Sequence, residues 1–276
     1  MHATTAGGVD VPSIGLGTWR LTGERCRETV RTALELGYRH IDTAQAYGNE
    51  RRVGNALRNS DVAREDTFVT TKLGRGNRAY DDVIRSTEES LAKLGTEYVD
   101  LLLIHWPNLT TPVGETLAAM DELVDRGKVR HVGVSNFDVD RLDHARECAE
   151  HGVLTNQVQY NPYWSQTELL DYCRIHDVLL TAYSPLGHGG VLDDPVLESI
   201  GERYDKSPAQ VALRWLVQQP NVVTVPKASS RDHLAANIDV FDFALTDGEM
   251  DRVRQPSKAR AAAGFLRGRV RSVARQ

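Results

Sequence analysis

The chain has 276 residues, of which 41% are hydrophobic and 26% charged, and its formal net charge is −5. This length exceeds that of an average domain but suits a single α/β barrel, which fills about 250 residues. The acidic balance argues against nucleic acid as a partner. No apolar run approaches the roughly 20 residues that a membrane helix needs.

The three cysteines, Cys26, Cys148 and Cys173, are scattered along the chain. An odd and scattered set does not form a disulfide framework and is typical of a reducing compartment. The first residues also lack the basic and apolar regions of a signal peptide. We therefore expect a cytoplasmic protein with no membrane partner.

The last part of the chain differs in charge from the rest. Residues 258–276 contain six basic residues and no acid, so residues 1–257 carry about −11. We interpret 1–257 as one domain and 258–276 as a basic C-terminal tail. A disordered, solubilising end is the favoured interpretation, and contact with an anionic surface is the alternative.

In chain order, residues 3–12 predict a short hairpin that turns at Gly7-Gly8. Short apolar runs then alternate with amphipathic segments. The predicted strands are 13–16, 38–41, 67–72, 99–104, 129–134, 154–158, 178–182 and 222–225. The predicted helices begin near Glu24, Asn49, Tyr80, Gly114, Asp138, Gln166, Ser207 and Arg231.

Eight strands alternating with eight helices predict a closed (β/α)8 barrel of the TIM type. A doubly wound sheet is the competing interpretation, but it normally has fewer strands and a glycine-rich first turn. Strands such as 99–104 are almost continuously apolar, as expected for parallel strands buried on both faces. Residues 195–204 and 246–255 fall outside the alternation and predict two extra helices.

In such a barrel the functional site lies where the strands end. Asp42 closes the second predicted strand and Tyr47 follows in its loop, Lys72 ends the third strand, and His105 follows the fourth. Each residue alone is more often structural than catalytic. Four such groups on consecutive strands, at the same rim, predict a site.

The chemistry of these four groups is coherent. A tyrosine has an ordinary pKa of about 10, so it is a reluctant acid at neutral pH. A nearby ammonium from Lys72 lowers that pKa, while Asp42 holds Lys72. Tyr47 then becomes a proton donor and His105 orients a carbonyl oxygen. The four groups predict an electrophilic carbonyl site that still needs a reductant.

Five sequence blocks stand together at the strand ends: residues 42–50 (DTAQAYGNE), 71–72 (TK), 102–107 (LLIHWP), 133–137 (GVSNF) and 225–227 (VPK). They resemble the signature blocks of the aldo-keto reductase superfamily. The resemblance runs from residue 11 to residue 250 and is nearest to the short prokaryotic members, which include 2,5-diketo-gluconate reductases. It implies reduction of a carbonyl with a nicotinamide cofactor bound without a Rossmann fold.

The resemblance also implies which residues bind that cofactor. Ser135, Asn136 and Gln157 would hold the carboxamide and Tyr183 would stack on the nicotinamide ring. The loop that begins at Ser184 and Leu186 would pass the pyrophosphate. The residues expected around the adenosine end are Lys227, Ser229, Ser230, His233 and Asn237.

The adenosine block departs from the family pattern. The family often has serine directly after the lysine and arginine six residues beyond it, where this chain has Ala228 and His233. Histidine does not reproduce the bidentate grip of arginine on a 2′-phosphate, although Lys227 still offers a charge. We expect NADPH as the cofactor, with NADH possible.

Trp19 and Trp106 are the expected substrate-binding residues, beside Tyr47 and His105. The alternative is that the tryptophans only plug the barrel top. The loop after the fourth strand is short and the tail is rich in alanine and arginine, which predicts an open pocket for small aldehydes. We expect a monomer whose partner is a small-molecule carbonyl compound.

Two rival functions remain. A metal-dependent barrel hydrolase needs a His-x-His pair after the first strand, which this chain lacks, and the loosely spaced His144, Cys148 and His151 lie along one peripheral helix and its end. No metal site is predicted. A cofactor-sensing protein without catalysis is the second rival, and the intact set of four rim residues argues against it.

Overall fold

The computed structural model describes residues 2–108, 110–254, 256 and 258–273. Ten strands occur in this part of the chain: β1 Ala3–Ala6, β2 Val9–Pro12, β3 Leu16–Gly17, β4 His40–Asp42, β5 Phe68–Leu73, β6 Val99–Ile104, β7 Val129–Ser135, β8 Thr155–Gln159, β9 Leu179–Tyr183 and β10 Val222–Thr224. The helices are α1 Gly23–Glu35, α2 Glu50–Arg58, α3 Tyr80–Leu94, α4 Val113–Asp125, α5 Val139–Cys148, α6 Thr167–Ile175, α7 Pro195–Gly201, α8 Pro208–Val217, α9 Arg231–Ile238, α10 Asp247–Arg254 and α11 Lys258–Val273.

Strands β3 to β10 form one parallel sheet in which each strand pairs with the next along the chain. The two ends of this sheet meet, because Ile14 bridges in parallel to Thr224. Gly15 N donates to Thr224 O at 2.8 Å and Thr224 N donates to Ser13 O at 2.9 Å. The sheet is therefore a closed (β/α)8 barrel, as predicted.

The hairpin β1–β2 closes the end of the barrel where the strands begin. Its turn lies at Gly7 and Gly8, both with positive φ (+56° and +73°), which glycine adopts without strain. Ala6 and Val11 are buried against Leu101 and Leu179 from the starts of β6 and β9. The hairpin is thus an apolar plug for this end.

Local signals in the sequence set several helix starts. Asp138 caps α5 by accepting a hydrogen bond from Arg141 N. Ser207 and Gln210 form a capping box ahead of α8, with proline in its first turn. The two predicted extra helices are present as α7 and α10. None of the helices in the described ranges has the length and apolar character for a membrane crossing.

The predicted disorder of the C-terminal tail is wrong for the residues that the structure describes there. Lys258–Val273 form α11, the longest helix. The sequence hides this helix because its contacts are made by glycine backbone and arginine side chains, so it has no apolar stripe for periodicity to detect. Residues 274–276 lie outside the described range.

Candidate active site

The four predicted catalytic residues come together at the carboxyl ends of three neighbouring strands. Asp42 is the last residue of β4, Lys72 lies near the end of β5, and His105 directly follows β6. Tyr47 ends a single 3₁₀ turn, Gln45–Tyr47, which Gly48 closes in the left-handed conformation. The parallel register sets these ends side by side.

A buried ion pair lies at the centre of the site. Lys72 Nζ donates to Asp42 Oδ1 at 2.5 Å and to Thr43 O at 3.0 Å. Gln157 Nε2 donates to the second carboxylate oxygen of Asp42 at 2.7 Å. Lys72 is fully buried and Asp42 is 3% exposed. Charges this deep are tolerated only when each is paired and hydrogen-bonded, as these are.

The pair keeps Lys72 in its charged form. Burial alone lowers the pKa of Lys72. Asp42 and Tyr47 together raise it by more than burial lowers it, so the net shift of the pKa is upward. Lys72 Nζ lies 5.1 Å from the centroid of the Tyr47 ring, so a permanent positive charge faces this phenol.

The net direction expected for Tyr47 is wrong in this structure. Burial raises the pKa of Tyr47 above its ordinary value, and the charge of Lys72 lowers it by less. Sequence reasoning included the ammonium but not the loss of water around the phenol, which is the larger effect here. Tyr47 is therefore fully protonated at neutral pH.

His105 is the second polar group beside Tyr47. The two rings lie 5.8 Å apart, centroid to centroid, at an interplanar angle of 78°. Burial lowers the pKa of His105 to about 4, and the charge of Lys72 adds to this lowering. His105 is therefore a neutral imidazole at neutral pH, with one N–H to donate.

Residues that the sequence reasoning did not assign hold Tyr47 in place. Asn49 accepts from Thr43 Oγ1 at 2.7 Å and donates to Thr18 O and Leu21 O at 2.9 and 3.0 Å. On the other side, Gln45 Oε1 accepts from Gly74 N at 2.6 Å. The available signal was that both polar residues lie next to the predicted catalytic Tyr47 in the sequence. The turn is thus fixed from the loops after β3 and β5.

The four residues expected at the nicotinamide form a connected network. Asn136 Nδ2 donates to His105 O and to Ser135 Oγ, both at 3.0 Å. Tyr183 OH donates to Asn136 Oδ1 at 2.8 Å. Gln157 O accepts from Ser135 Oγ at 2.7 Å, while its side chain turns to Asp42. Asn136 has a φ of +64°, an uncommon conformation that local hydrogen bonds hold.

The loop after β9 crosses the rim. Ser184 has a φ of +49°, and its carbonyl oxygen accepts from Asn161 Nδ2 at 3.1 Å. Leu186 is partly buried against the core. Farther along this loop, the His188 ring lies 6.1 Å from that of Trp19, in an edge arrangement.

The residues expected at the adenosine end lie after β10 and on α9. Lys227, Ser230 and His233 are exposed, whereas Asn237 is buried. Ser230 caps α9 by accepting from His233 N. Ser229 Oγ accepts from Arg25 Nη2 at 2.7 Å, which brings in a guanidinium from α1 that sequence reasoning missed.

The expected substrate residues lie at the mouth of the site. Trp19 is 42% exposed and Trp106 is 39% exposed. The Trp106 ring stacks beside that of His105, with centroids 6.3 Å apart. Both tryptophans therefore present apolar surface to solvent at the rim.

The loosely spaced metal-ligand types lie apart from this rim. Cys148 Sγ is 3.9 Å from His144 Nε2, and His151 instead pairs with Asp125 at 2.9 Å. Within the described ranges, no group of three or more His, Cys, Asp or Glu side chains is arranged to hold a metal ion.

The fold and this rim place the chain among the (β/α)8 barrels whose site lies at the carboxyl ends of the strands. The sequence pattern of the Aldo/keto reductase family matches residues 13–258. The chain belongs to this family.

Several relatives resemble the chain along nearly its whole length. Glyoxal reductase from Bacillus subtilis is 41% identical over 247 residues, which cover 89% of each chain. A crystal structure provisionally described as 2,5-diketo-D-gluconic acid reductase B is 45% identical, with a TM-score of 0.90, over 92% of this chain and 90% of that chain. An aldo-keto reductase of Bombyx mori, solved in complex with NADP, is 34% identical, with a TM-score of 0.86, over 92% of both chains.

Proposed function

We propose that the chain reduces aldehyde or ketone carbonyls to alcohols with NADPH, and that Tyr47 is the proton donor. The observation that carries this proposal is the buried Asp42–Lys72 pair, which sets a permanent ammonium beside a protonated Tyr47 and a neutral His105. The family membership and the reductases among the relatives support it.

The residues have separate roles in the proposed reaction. The carbonyl oxygen accepts hydrogen bonds from Tyr47 OH and the His105 N–H, which polarise the carbonyl. As negative charge develops on that oxygen, the Tyr47 proton moves to it and Lys72 stabilises the phenolate that remains. Asp42 keeps Lys72 in position and balances its charge. After each reduction, the Tyr47 phenolate takes up its next proton from solvent.

The cofactor, when bound, supplies the hydride that completes the reduction. The network of Ser135, Asn136 and Tyr183 suits the nicotinamide end, because Asn136 fixes the Tyr183 hydroxyl and so holds one edge of a flat ring. Gln157 is held by Asp42, so its side-chain amide couples this network to the ion pair. We assign nicotinamide binding to these four residues.

The charges at the adenosine end favour NADPH over NADH. Arg231, an obvious alternative to the missing arginine, is paired with Glu35 at 3.1 Å. Arg25 instead reaches Ser229, close to Lys227 along the same segment. The Arg25 guanidinium reaches Ser229, two residues from Lys227, so two positive charges are available for a 2′-phosphate. Ser230 and His233 are exposed on the following segment and Asn237 is buried.

The exposed tryptophans favour small, partly apolar carbonyl substrates. Trp19 and Trp106 offer ring surface at an open mouth, next to the polarising His105. The similarity to a glyoxal reductase supports small aldehydes and α-dicarbonyl compounds as the substrate class.

One assay series tests the reaction and the cofactor together. Consumption of NADPH and of NADH is measured across aldehydes, ketones and keto-sugars, for the wild type, Arg25→Ala and Arg27→Ala. Arg27 lies on the same helix but pairs with Glu24, so it controls for loss of a surface charge. We expect about a tenfold higher KM for NADPH in Arg25→Ala alone, with the KM for NADH unchanged. A wild-type preference for NADH would refute the cofactor assignment, and no turnover with either cofactor would refute the function.

A further inference from the structure

The loop after β9, residues 184–190, crosses the top of a neighbouring strand, and we call it the strap. The barrel order runs β9, β10, β3, with β3 and β10 joined by the closing bridge. The strap begins at the end of β9, and its His188 meets Trp19 in the loop after β3. The strap therefore spans the carboxyl end of β10, where Lys227 and Ser229 follow.

The strap contains a short turn in the left-handed conformation, Gly187–Gly189. Gly187, His188 and Gly189 all have positive φ values of +52°, +54° and +92°. Such a run departs from helix and strand alike, and a non-glycine residue in it is strained. Gly189 N and Gly190 N donate to Leu186 O and Gly187 O at 2.8 and 2.9 Å, so the turn has its own hydrogen bonds. Contacts from outside the loop then decide where this turn lies on the barrel.

Helix α11 supplies those contacts with two arginines. Arg271 Nη1 donates to Gly189 O at 2.5 Å, and its Nη2 lies 2.7 Å from Asp193 Oδ2. Arg267 Nε donates to Gly190 O at 3.2 Å. These charge-assisted hydrogen bonds fix two successive carbonyls of the strap from its outer side.

Two glycines of α11 allow its backbone to touch the strap directly. Gly264 and Gly268 are spaced four residues apart, on one face of the helix. A Cβ at Gly268 would lie 2.3 Å from Gly187 O, and a Cβ at Gly190 would lie 2.2 Å from Gly264 O. A side chain at Gly268 or at Gly190 would therefore push helix and strap apart, whereas one at Gly264 would meet the Tyr163 ring.

A buried ionic cluster secures the root of the strap. Asp194 is fully buried and lies 2.9 Å from Arg260 Nε, in the first turn of α11. Tyr163 OH donates to Asp194 Oδ2 at 2.6 Å and lies 3.2 Å from Gly190 O. Asp194 also caps α7, so α11 is joined to the barrel at both the root and the middle of the strap.

We propose that α11 is a clasp that holds the strap over the bound nicotinamide cofactor and so slows its release. Arg271 is then a positioning residue that acts through Gly189 and Asp193. This role rests on the proposed function, because it requires that a cofactor binds beneath the strap. The basic end of the chain thereby serves the cofactor side of the site.

The test measures cofactor release. Stopped-flow fluorescence follows NADPH displaced by excess NADP⁺ from the full-length wild type, Arg271→Ala, Gly268→Leu and Arg269→Ala. Arg269 is exposed and makes no hydrogen bond to the strap among the described residues. The Arg269→Ala variant also removes one positive charge from α11. It therefore separates the effect of the clasp from a general attraction between α11 and an anionic cofactor. Circular dichroism and thermal melting check that each variant is folded.

We expect release to be about tenfold faster in Arg271→Ala, because two charge-assisted hydrogen bonds are lost, and at least as fast in Gly268→Leu. The rate of a single turnover from the preformed complex should stay unchanged. The KM for the cofactor should therefore rise, while the rate of the chemical step stays at the wild-type value. Wild-type release rates in both variants would overturn the clasp. So would an equal acceleration in Arg269→Ala. A wild type that binds neither NADPH nor NADH would instead overturn the proposed function.

Discussion

The two ends of the barrel use the same strands with opposite chemistry. On β6, Leu101 and Leu103 point inward near the plugged end, and His105 follows two residues later at the open rim. The plug is a packed layer of aliphatic side chains. The rim, on the neighbouring strands, buries Asp42 and Lys72.

This difference separates stability from chemistry. Apolar burial in the plug stabilises the fold without requiring any particular partner. Buried charges at the rim contribute little net stability and need each other. Changes at the rim that leave no unpaired buried charge should therefore affect turnover far more than folding, and changes in the plug should do the reverse.

The largest expected effect is that of Tyr47→Phe. Removing the phenolic proton should lower kcat for carbonyl reduction by about 10³-fold, because a general acid contributes 10²- to 10⁴-fold. Cofactor affinity, measured by quenching of tryptophan fluorescence, should stay at the wild-type value. Retained reduction would show that another group donates the proton. A cofactor-sensing protein would bind the cofactor in both forms and reduce nothing in either.

Breaking the ion pair is the next largest change. Lys72→Met leaves Asp42 buried without its cation and should lower the free energy of unfolding by about 4 kcal/mol. The double variant Asp42→Asn with Lys72→Met should recover most of that loss in denaturant unfolding, yet remain inactive. If the double variant were as unstable as the single one, the pair would be a stabilising element and the contrast between the two ends would fail.

The plug offers the reciprocal test. Leu101→Ala should lower the free energy of unfolding by about 3 kcal/mol, because it leaves a cavity among aliphatic neighbours. The value of kcat/KM per folded molecule should stay unchanged. Ile175→Ala, at a residue that is 78% exposed, is the matched control and should cost less than about 0.5 kcal/mol. A loss of turnover in Leu101→Ala would show that the plug also shapes the rim.

Sequence reasoning located the barrel and the rim because both depend on signals carried by side chains. Apolar runs define the strands, and Asp42, Lys72 and His105 are recognisable as polar groups at strand ends. The clasp was missed because Gly264 and Gly268 act through their lack of a side chain. Arg25 was missed because its partner, Ser229, is distant in sequence and only the closed barrel brings them together.

The smallest expected effect is the pH dependence of reduction. It tests whether burial or the charge of Lys72 has the larger effect on the pKa of Tyr47. Tyr47 must be protonated to donate, so activity is lost as pH rises through its pKa, and burial places that pKa above its ordinary value. His105, with its pKa lowered to about 4, does not titrate near neutrality. We therefore expect kcat/KM to change by less than about twofold between roughly pH 6 and pH 9.

A decline that begins below about pH 9 would show that the charge of Lys72 outweighs burial once cofactor and substrate are bound. The same decline in His105→Gln would assign it to Tyr47, because that variant keeps the phenol and removes the imidazole.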